Sequence, residues 1–357
     1  MKTLHFDARF IRLDHHDGIS RFSVELIKAL SSKVHVIAII YDLRQLEHLP
    51  EGIEFIVVNN PESVKELFIA RKLNNVGATH VYSPMQIMGT SGRKYKLVLT
   101  LHDLIYYRHR KPPQDLNLLI RGLWRLYHLT YFPQRLLLNR ADAIVTVSKT
   151  TKELIAKHSL TKRPVSVVYN APAGASAKKP RKLPTSRDVL YIGSFMPYKN
   201  VETLIRGVGL TPGFTLHLLS KITSERKDQL QSLASKSGCD VVFHGGVTDE
   251  QYESLVATSF ALISASKDEG FGIPLVEAMQ QGTPVVVSDL EIFREVSGTV
   301  GSFFDADSSE ALSKRLLELE VSNTWERKSA EALYQAAKFN WNDSADELLL
   351  TFSQLEI

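Results

Sequence analysis

The chain has 357 residues, of which 44% are hydrophobic and 23% charged, and its formal net charge is +4. This composition excludes disordered and fibrous proteins, and the length exceeds what one hydrophobic core usually supports, so we expect two domains. The single cysteine, Cys239, excludes an intrachain disulfide and a cysteine cluster for a metal. Charges interrupt the N-terminal segment MKTLHFDARFIRLDHH before a signal-peptide core develops, and no run reaches about 18 apolar residues, which predicts a cytoplasmic protein.

Apolar strand-like runs alternate with helix-period stretches along the whole chain, which predicts parallel sheets covered by helices on both faces. The fold class is therefore α/β, with two doubly wound, Rossmann-like domains. Because such sheets bind ligands beyond the carboxyl ends of their strands, we expect the two domains to face each other across a cleft that holds the active site. The predicted strands are 4–10, 34–40, 54–58, 80–83, 96–102, 143–148 and 165–169 in the first half, and 189–193, 215–220, 241–244, 261–266, 284–288 and 302–304 in the second.

Residues 108–140 are basic and rich in leucine and aromatic side chains. A helical segment of this composition binds anionic lipid, so a membrane surface is a predicted partner of residues 108–140. The alternative is a partly buried domain helix whose arginines are solvated or paired. Nucleic acid is not an expected partner, because no recognised module accompanies the segment. One acidic residue, Asp115, stands against Arg108, Arg110, Lys111, Arg121, Arg125, Arg135 and Arg140.

The segment 170–187, NAPAGASAKKPRKLPTSR, loses the apolar periodicity and concentrates proline, lysine and small residues. This pattern predicts an exposed linker over 171–187, with domains at 1–170 and 188–339. The closing segment 340–357 predicts a capped helix with an apolar side formed by Leu348, Leu349 and Phe352.

The segment 268–289, DEGFGIPLVEAMQQGTPVVVSD, follows a buried-strand pattern and opens a helix. Pro274 suits the first helical turn, and Gly282 suits the left-handed position after a helix. Gly270 and Gly272 let a ligand approach the backbone, where the amides of the helix start attract phosphate.

Two carboxylates flank this helix start, Glu269 in the loop and Glu277 on the helix. They can accept hydrogen bonds from hydroxyl groups. Phosphate and hydroxyl groups occur together in a sugar nucleotide, which is the predicted ligand. The alternative is a core helix after a tight turn, with two solvated glutamates.

No convincing metal site or dinucleotide fingerprint is found. Asp305 and Asp307 spell Asp-x-Asp, but they precede a helix and are predicted to cap it. His15 and His16 lack a third ligand. No G-x-G-x-x-G follows a strand, which disfavours a dehydrogenase. We expect no metal and no other cofactor.

Several stretches together resemble the retaining glycosyltransferases of family 4, which have the GT-B fold. They are DGISRFSVELIKAL, LTLHDLIY, VTVSKTTKELI, YIGSFMPYKNVETLI, VVFHGGVTDEQYESLV and the segment 268–289, in the order of the family. The resemblance implies an acceptor-side domain at 1–170, a nucleotide-sugar-binding domain at 188–339, and a terminal helix, 340–357, that returns to the first domain.

The resemblance also implies roles for individual residues. Lys199 would neutralise the pyrophosphate as the glycosidic bond breaks. His102 would contact the transferred sugar, the alternative being a hydrogen-bonded buried histidine. With Glu269, these are the expected catalytic residues. The implied donor-binding residues are Gly18, Ser194, Lys199, His244, Gly245, Gly246, Val247, Glu269, Gly270, Phe271, Gly272, Ile273, Pro274, Leu275 and Glu277.

The chain departs from the family pattern near this lysine. The family has an arginine just before it or a few residues ahead of it, where this chain has Tyr198 and Ser194. Arg21 and Lys221 are candidates to replace the missing cation.

The predicted function is transfer of a hexose with retention, by front-face attack, to a hydroxyl of a glycan or lipid-linked acceptor. GDP-mannose is the leading donor. The expected setting is polysaccharide biosynthesis, in the cytoplasm or at the inner face of the membrane. The alternatives are an enzyme that uses a UDP-hexose and a catalytically inactive sugar-nucleotide-binding subunit of a glycosylation complex.

Overall fold

The computed structural model describes residues 2–13, 18–110, 118–174, 179–321 and 323–356. The chain forms two compact units, one of Met1–Ala171 with Asn340–Ile357 and one of Pro172–Phe339. Each unit contains a parallel sheet with helices between its strands, which confirms the predicted α/β class.

The first unit has the strand order β3-β2-β1-β4-β5-β6-β7 within the described residues, and every neighbouring pair is parallel. The strands are β1 Thr3–Asp7, β2 His35–Ile40, β3 Glu54–Val57, β4 His80–Ser83, β5 Lys96–Leu101, β6 Ala143–Thr146 and β7 Val165–Val167. The α-helices are α1 Gly18–Ser31, α2 Ile69–Asn75, α3 Ile105–Arg108, α4 Leu118–Tyr127, α5 Phe132–Leu138 and α6 Lys149–Lys157.

The second unit has the order β10-β9-β8-β11-β12-β13 over its described part, again with parallel neighbours. Its strands are β8 Asp188–Tyr191, β9 Thr215–Leu218, β10 Asp240–Phe243, β11 Ala261–Ser264, β12 Val285–Ser288 and β13 Ser302–Phe304. Its α-helices are α7 Val201–Gly209, α8 Ser224–Ser237, α9 Asp249–Thr258, α10 Ile273–Gln280, α11 Glu291–Ser297, α12 Ser309–Glu320 and α13 Thr324–Ala336, and α14, Trp341–Ser353, follows in the first unit.

Three inner strands are buried along their whole length. All residues of β6, β11 and β12 are buried. A parallel sheet with helices on both faces produces such continuous apolar runs instead of an alternating pattern. All the strands predicted from these runs are present, with ends that differ by a few residues.

The first strand shows the largest difference from prediction. The strand predicted over 4–10 ends at Asp7, and a 3-10 turn follows. Arg9 folds back so that its Nε donates to Asp7 Oδ1 at 2.7 Å, while its Nη1 donates to Glu66 Oε2 at 2.6 Å and to the carbonyl of Asn59 at 3.2 Å. The guanidinium is fully buried, and this ion cluster ends the strand.

The pKa of Arg9 reflects two opposing effects. Burial disfavours the cation, but Asp7 and Glu66 outweigh it, and the pKa is raised. A buried charge that is paired on two sides in this way is costly to break.

The predicted linker packs against the second unit at Arg181. The described residues 171–174 and 179–187 form no helix or strand. The Arg181 guanidinium donates to the carbonyls of Val256 and Ser259 at 3.3 and 2.9 Å and lies 5.1 Å from the ring centre of Trp325. The linker was predicted to be exposed, and at Arg181 that prediction is wrong, because the arginine side chain satisfies carbonyls left at the end of a helix.

The terminal helix α14 belongs to the first unit. Asn340 caps it by accepting from the amide of Asp343 at 2.9 Å, as the sequence predicted. Leu348 and Phe352 are fully buried, and the Ser344 hydroxyl donates to the Tyr169 carbonyl at 2.7 Å. The end of the chain therefore completes the core of the domain that its beginning forms.

Each sheet has one point at which the strand order reverses. These points lie between β1 and β4 in the first unit and between β8 and β11 in the second. The loops that follow such a pair of strands diverge to opposite faces and leave a crevice at the carboxyl edge. The loops after β8 and β11 carry Lys199 and Glu269.

Candidate active site

Two loops meet at the carboxyl edge of the second sheet. Lys199, in the 3-10 turn Pro197–Lys199 after β8, forms an ion pair with Oε1 of Glu269, in the loop after β11. The Ser266 hydroxyl donates to the same carboxylate oxygen at 3.0 Å. The amide of Lys267 also donates to the Tyr198 carbonyl at 2.7 Å, so backbone and side chains both join the loops.

The pair is largely shielded from water. The side chains of Lys199 and Glu269 are 14% and 15% exposed. The ammonium lies 5.3 Å from the ring centre of Tyr198, which occupies one of the two positions where the family has an arginine. Low exposure strengthens an electrostatic interaction with any charge that develops beside the pair.

Side chains that the sequence did not single out hold the first loop. Tyr191 is buried at the end of β8, and its hydroxyl donates to the Ser194 carbonyl at 2.6 Å. Burial, and after it the negative charge of Glu269, holds the pKa of Tyr191 well above its ordinary value. The Ser220 hydroxyl accepts from the Gly193 amide at 3.0 Å. In the sequence, Tyr191 and Ser220 stand at or just after the ends of buried strands. Hydrophobic periodicity alone does not distinguish such residues from ordinary core residues.

The start of α10 is shaped by Gly272. This residue is the N-cap with φ +92°, and it offers no side chain to cap the helix. A Cβ at this position would lie 3.1 Å from the Phe293 ring. Pro274 stands in the first turn and Gly282 follows the helix at φ +69°, as predicted. The helix start therefore has no side-chain cap at its positive end, where backbone amides attract phosphate.

The remaining predicted residues around α10 have different burial. Phe271 is buried against the ring of Phe339, at 5.6 Å between ring centres, and Leu275 is buried as well. These two side chains support the loop from inside. Glu277 lies on α10, as predicted, and is partly buried.

The loop after β10 contains the predicted segment His244–Val247. Gly245 and Gly246 have φ of +71° and +113°, a region that disfavours other residues. His244 Nε2 lies 3.0 Å from Nδ1 of His217, whose Nε2 lies 3.3 Å from Asp188. Burial, and after it His217, lowers the pKa of His244, which favours the neutral imidazole.

Lys221 lies in the same group of loops. Its side chain lies against Gly246, where an added Cβ would be 3.0 Å from Lys221 Cγ, and it follows Ser220, which holds Gly193. Of the two candidates to replace the missing arginine, Lys221 belongs to the unit that contains Lys199, whereas Arg21 belongs to the other unit.

His102 and Gly18 belong to the first unit. His102 directly follows β5, and its Nε2 donates to the Pro84 carbonyl at 2.8 Å. Phe22 packs edge-on against the ring, with centres 5.3 Å apart. Gly18, an implied donor-binding residue, is the first residue of α1. His15 and His16 lie outside the described residues.

Asp305 and Asp307 are engaged in local contacts. Asp305 Oδ1 accepts from the Asp307 amide at 2.9 Å, and Asp307 forms an ion pair with Lys267. The actual cap of α12 is Ser308, so the predicted capping role of the aspartates is wrong by position. Over the described part of the chain, no three His, Cys, Asp or Glu side chains are grouped so that they could hold a metal ion.

Two family profiles match most of the sequence. The profile described as "Glycosyltransferase Family 4" matches residues 16–171, and the one described as "Glycosyl transferases group 1" matches residues 175–339. The chain belongs to the family 4 glycosyltransferases.

Among curated relatives, the O-antigen chain mannosyltransferase RfbU of Salmonella typhimurium is 25% identical over 317 residues, which cover 85% of this chain and 87% of that protein. O-antigen chain mannosyltransferase B of Escherichia coli is 31% identical over 173 residues, 46% of this chain and 45% of that protein. The match therefore spans under half the length of the second relative.

Solved structures share the fold. HepE of Anabaena, crystallised with UDP and glucose, has a TM-score of 0.74 at 18% identity and covers 99% of this chain and 100% of that chain. Sucrose-phosphate synthase of Thermosynechococcus elongatus has a TM-score of 0.73, also at 18% identity, with 99% of both chains covered. The GT-B fold predicted from the resemblance is confirmed.

Proposed function

We propose that this chain transfers a hexose, with retention, from a nucleotide diphosphate sugar to a hydroxyl of a glycan or lipid-linked glycan, and that GDP-mannose is its donor. The contact between Lys199 and Glu269 carries this proposal. Residues seventy positions apart meet at the strand-order reversal of the second sheet, beside a helix start that has no side-chain cap. A cation and amides suit the diphosphate, and a carboxylate suits sugar hydroxyls.

Donor binding exchanges the partners of this ion pair. The Lys199 ammonium passes from Glu269 to the diphosphate, and the Glu269 carboxylate accepts from hydroxyls of the sugar. Glu277 accepts from the ribose hydroxyls, and the backbone of His244–Val247 pairs with the base. The Lys199 ammonium thereby keeps a partner of opposite charge, and the Glu269 carboxylate keeps hydrogen bonds. This exchange limits the free energy needed to separate the two side chains.

We propose a transfer step that uses this arrangement. The bond between the sugar C1 and the phosphate oxygen breaks as the acceptor oxygen bonds to C1 on the same face, and the departing phosphate oxygen takes the acceptor's proton. Lys199 stabilises the charge that develops on that oxygen. His102 contacts the transferred sugar. Because Lys199 and the helix start supply positive charge to the diphosphate, the proposed reaction needs no metal.

The relatives favour mannose as the transferred sugar, since both named relatives are O-antigen chain mannosyltransferases. They also favour a setting in bacterial polysaccharide biosynthesis. We propose that the enzyme works on the cytoplasmic side of the membrane, as predicted from the sequence. HepE was crystallised with UDP and glucose, which favours a UDP-hexose as the second candidate donor.

Thermal shift against a panel of GDP-mannose, UDP-glucose and UDP-galactose tests the donor. Only a bound donor raises the melting temperature, and we expect GDP-mannose to raise it most. A larger rise with a UDP-hexose would support the second candidate, and no rise with any activated sugar would contradict the proposal.

Slow donor hydrolysis tests transfer itself. We expect hydrolysis of the donor that binds, unchanged by EDTA, and release of the sugar first as the anomer that the donor carries, as seen by proton NMR. Binding without hydrolysis would indicate an inactive donor-binding subunit. Release of the opposite anomer would contradict retention, and loss of activity in EDTA would contradict metal independence.

A further inference from the structure

Helices α4 and α5 of the first unit expose a row of large apolar side chains. Leu123 and Leu126 on α4 are 59% and 67% exposed, and Phe132 on α5 is 67% exposed. Leu129, between the helices, and Leu136 are also exposed. Leu123 and Leu126 are three positions apart and lie on one face of α4, and exposed apolar side chains grouped in this way mark a surface that contacts another molecule or a membrane. We name these five side chains the leucine face.

Aromatic side chains of α4 and the residue after it supply the packing that the domain needs. Trp124, Tyr127 and His128 are partly buried, with the ring centre of His128 5.0 Å from that of Tyr107 and 4.0 Å from that of Trp124. Tyr107 stacks in turn on Tyr131 at 4.5 Å and belongs to the core. Because these aromatic rings attach the helix to the domain, the exposed leucine face is not needed for the core. The segment is therefore more than a partly buried domain helix, which was the alternative considered from the sequence.

Arginines flank and interrupt the leucine face in the sequence. Arg125 is exposed on α4, and Arg110 and Arg140 are exposed to either side of the two helices. Arg135 is held by the carbonyls of His158 and Ser159, which fix its side chain but leave its charge. Between residues 104 and 141 the sequence has one acidic residue, Asp115, which lies outside the described residues.

We propose that the leucine face docks on an anionic lipid bilayer, with its side chains in the interface and the arginines at the headgroups. Leucine and arginine together are the composition of an interfacial helix. A second copy of the chain fits this surface poorly, because a symmetric contact would oppose arginine to arginine. The ten residues of α4 extend about 15 Å, half of a bilayer core, so α4 lies on the surface. Among the described residues, no helix is long and apolar enough to cross a bilayer.

This proposal concerns a surface of the first unit and does not depend on the proposed donor chemistry. The test is co-sedimentation of the full chain with vesicles of phosphatidylcholine alone or with about 30% phosphatidylglycerol, in about 0.1 M salt. We expect at least tenfold stronger binding to the anionic vesicles, and loss of most of that gain in about 1 M salt.

The double substitution Leu123→Ser with Leu126→Ser tests the leucine face. We expect it to weaken vesicle binding about tenfold or more, because two exposed leucines no longer enter the interface. The matched control is Leu210→Ser with Leu317→Ser, which removes two leucines of 51% and 49% exposure from the second unit. The control should bind vesicles as the wild type does. Both variants should keep the melting curve and donor hydrolysis of the wild type.

Substitution of Arg121 and Arg125 by glutamine tests the charge. We expect about fivefold weaker binding for each arginine at low salt and little change at high salt. Lys182→Gln with Lys236→Gln, two exposed lysines elsewhere, is the control.

Three results would overturn the proposal. They are equal binding to neutral and anionic vesicles, equal binding by the leucine variant and its control, and a wild-type dimer that the leucine variant converts to monomer. The last result would assign the surface to a second copy of the chain.

Discussion

Lys221 is the candidate of the second unit to replace the missing family arginine. The family arginine is absent, and Lys221 lies against Gly246 in the loops that hold Gly193 and Lys199. We expect Lys221→Ala to weaken donor binding about tenfold, since one charge-assisted hydrogen bond to phosphate is lost. Calorimetric titration with the donor measures this change.

Two further variants make the Lys221 experiment specific. Lys221→Arg should bind the donor nearly as the wild type does, because the charge is kept. Lys227→Ala removes a lysine of helix α8 whose ammonium lies over the ring of Phe243. This substitution should have no effect on donor affinity. Equal affinities for Lys221→Ala and Lys227→Ala would show that the second cation lies elsewhere.

Arg9 and Arg44 form a natural pair for testing the buried ion cluster. Each arginine binds an aspartate two positions before it, but Arg9 is fully buried with Asp7, whereas Arg44 is 64% exposed beside Asp42. We expect Arg9→Met to lower the free energy of unfolding by about 3 kcal/mol, because Asp7 and Glu66 lose their shared cation.

Urea denaturation of the two variants separates burial from pairing. Arg44→Met should leave the unfolding midpoint near that of the wild type, since exposed ion pairs contribute little. If the two substitutions lowered stability equally, the buried cluster would not stabilise the first unit more than a surface pair does.

Among the elements, the start of α10 depends on backbone geometry that only glycine allows. Gly272 has φ +92° and the Phe293 ring close by, whereas Gly52 has φ +73° in a turn with no atom within 4 Å of an added Cβ. We expect Gly272→Ala to destabilise the chain by about 2 kcal/mol and Gly52→Ala by about 1 kcal/mol.

Donor titration distinguishes the two alanine variants further. Gly272→Ala should weaken donor binding because the helix start shifts away from the diphosphate, and Gly52→Ala should not. Unchanged donor affinity in a folded Gly272→Ala protein would mean that the phosphate does not bind at the start of α10.

The strands and several caps of the fold could be predicted from the sequence. Buried parallel strands leave continuous apolar runs such as 285–287, and Asn340 marks the start of α14 by its position alone. The turn after Asp7 could not be predicted, because it depends on contacts of Arg9 with residues about fifty positions away.

Only part of the site could be predicted, because some of its contacts also join residues that are far apart in the sequence. The glycine, proline and carboxylate pattern around α10 lies within the single segment 268–289, so the sequence predicts this part of the site. The contacts of Lys199 with Glu269 and of Ser220 with Gly193 join distant parts of the chain, so only the structure shows them. The prediction that the 171–187 segment is exposed was wrong at Arg181 because its partners are the ends of other elements.

For the molecule as a whole, the first unit contains both ends of the chain. Leu348 of α14 is fully buried, while Leu350 on the same helix is 49% exposed. We expect Leu348→Ala to cost about 3 kcal/mol and to raise hydrogen exchange in β1 and α1, with no change in the sheet of the second unit.

Leu350→Ala is the control for this exchange experiment and should leave both units unchanged. Mass spectrometry of deuterium uptake resolves the two units by their peptides. Faster exchange in the second unit after Leu348→Ala would contradict the assignment of α14 to the first unit.

In the proposed reaction, Lys199 stabilises the leaving diphosphate of an activated sugar. The decisive measurement compares donor turnover by Lys199→Ala with that by Lys267→Ala. Lys267 lies two positions before Glu269, and its exposed ammonium pairs with Asp307. We predict a fall in kcat of about a hundredfold or more for Lys199→Ala and wild-type turnover for Lys267→Ala. Turnover by Lys199→Ala within about threefold of the wild type would contradict the account.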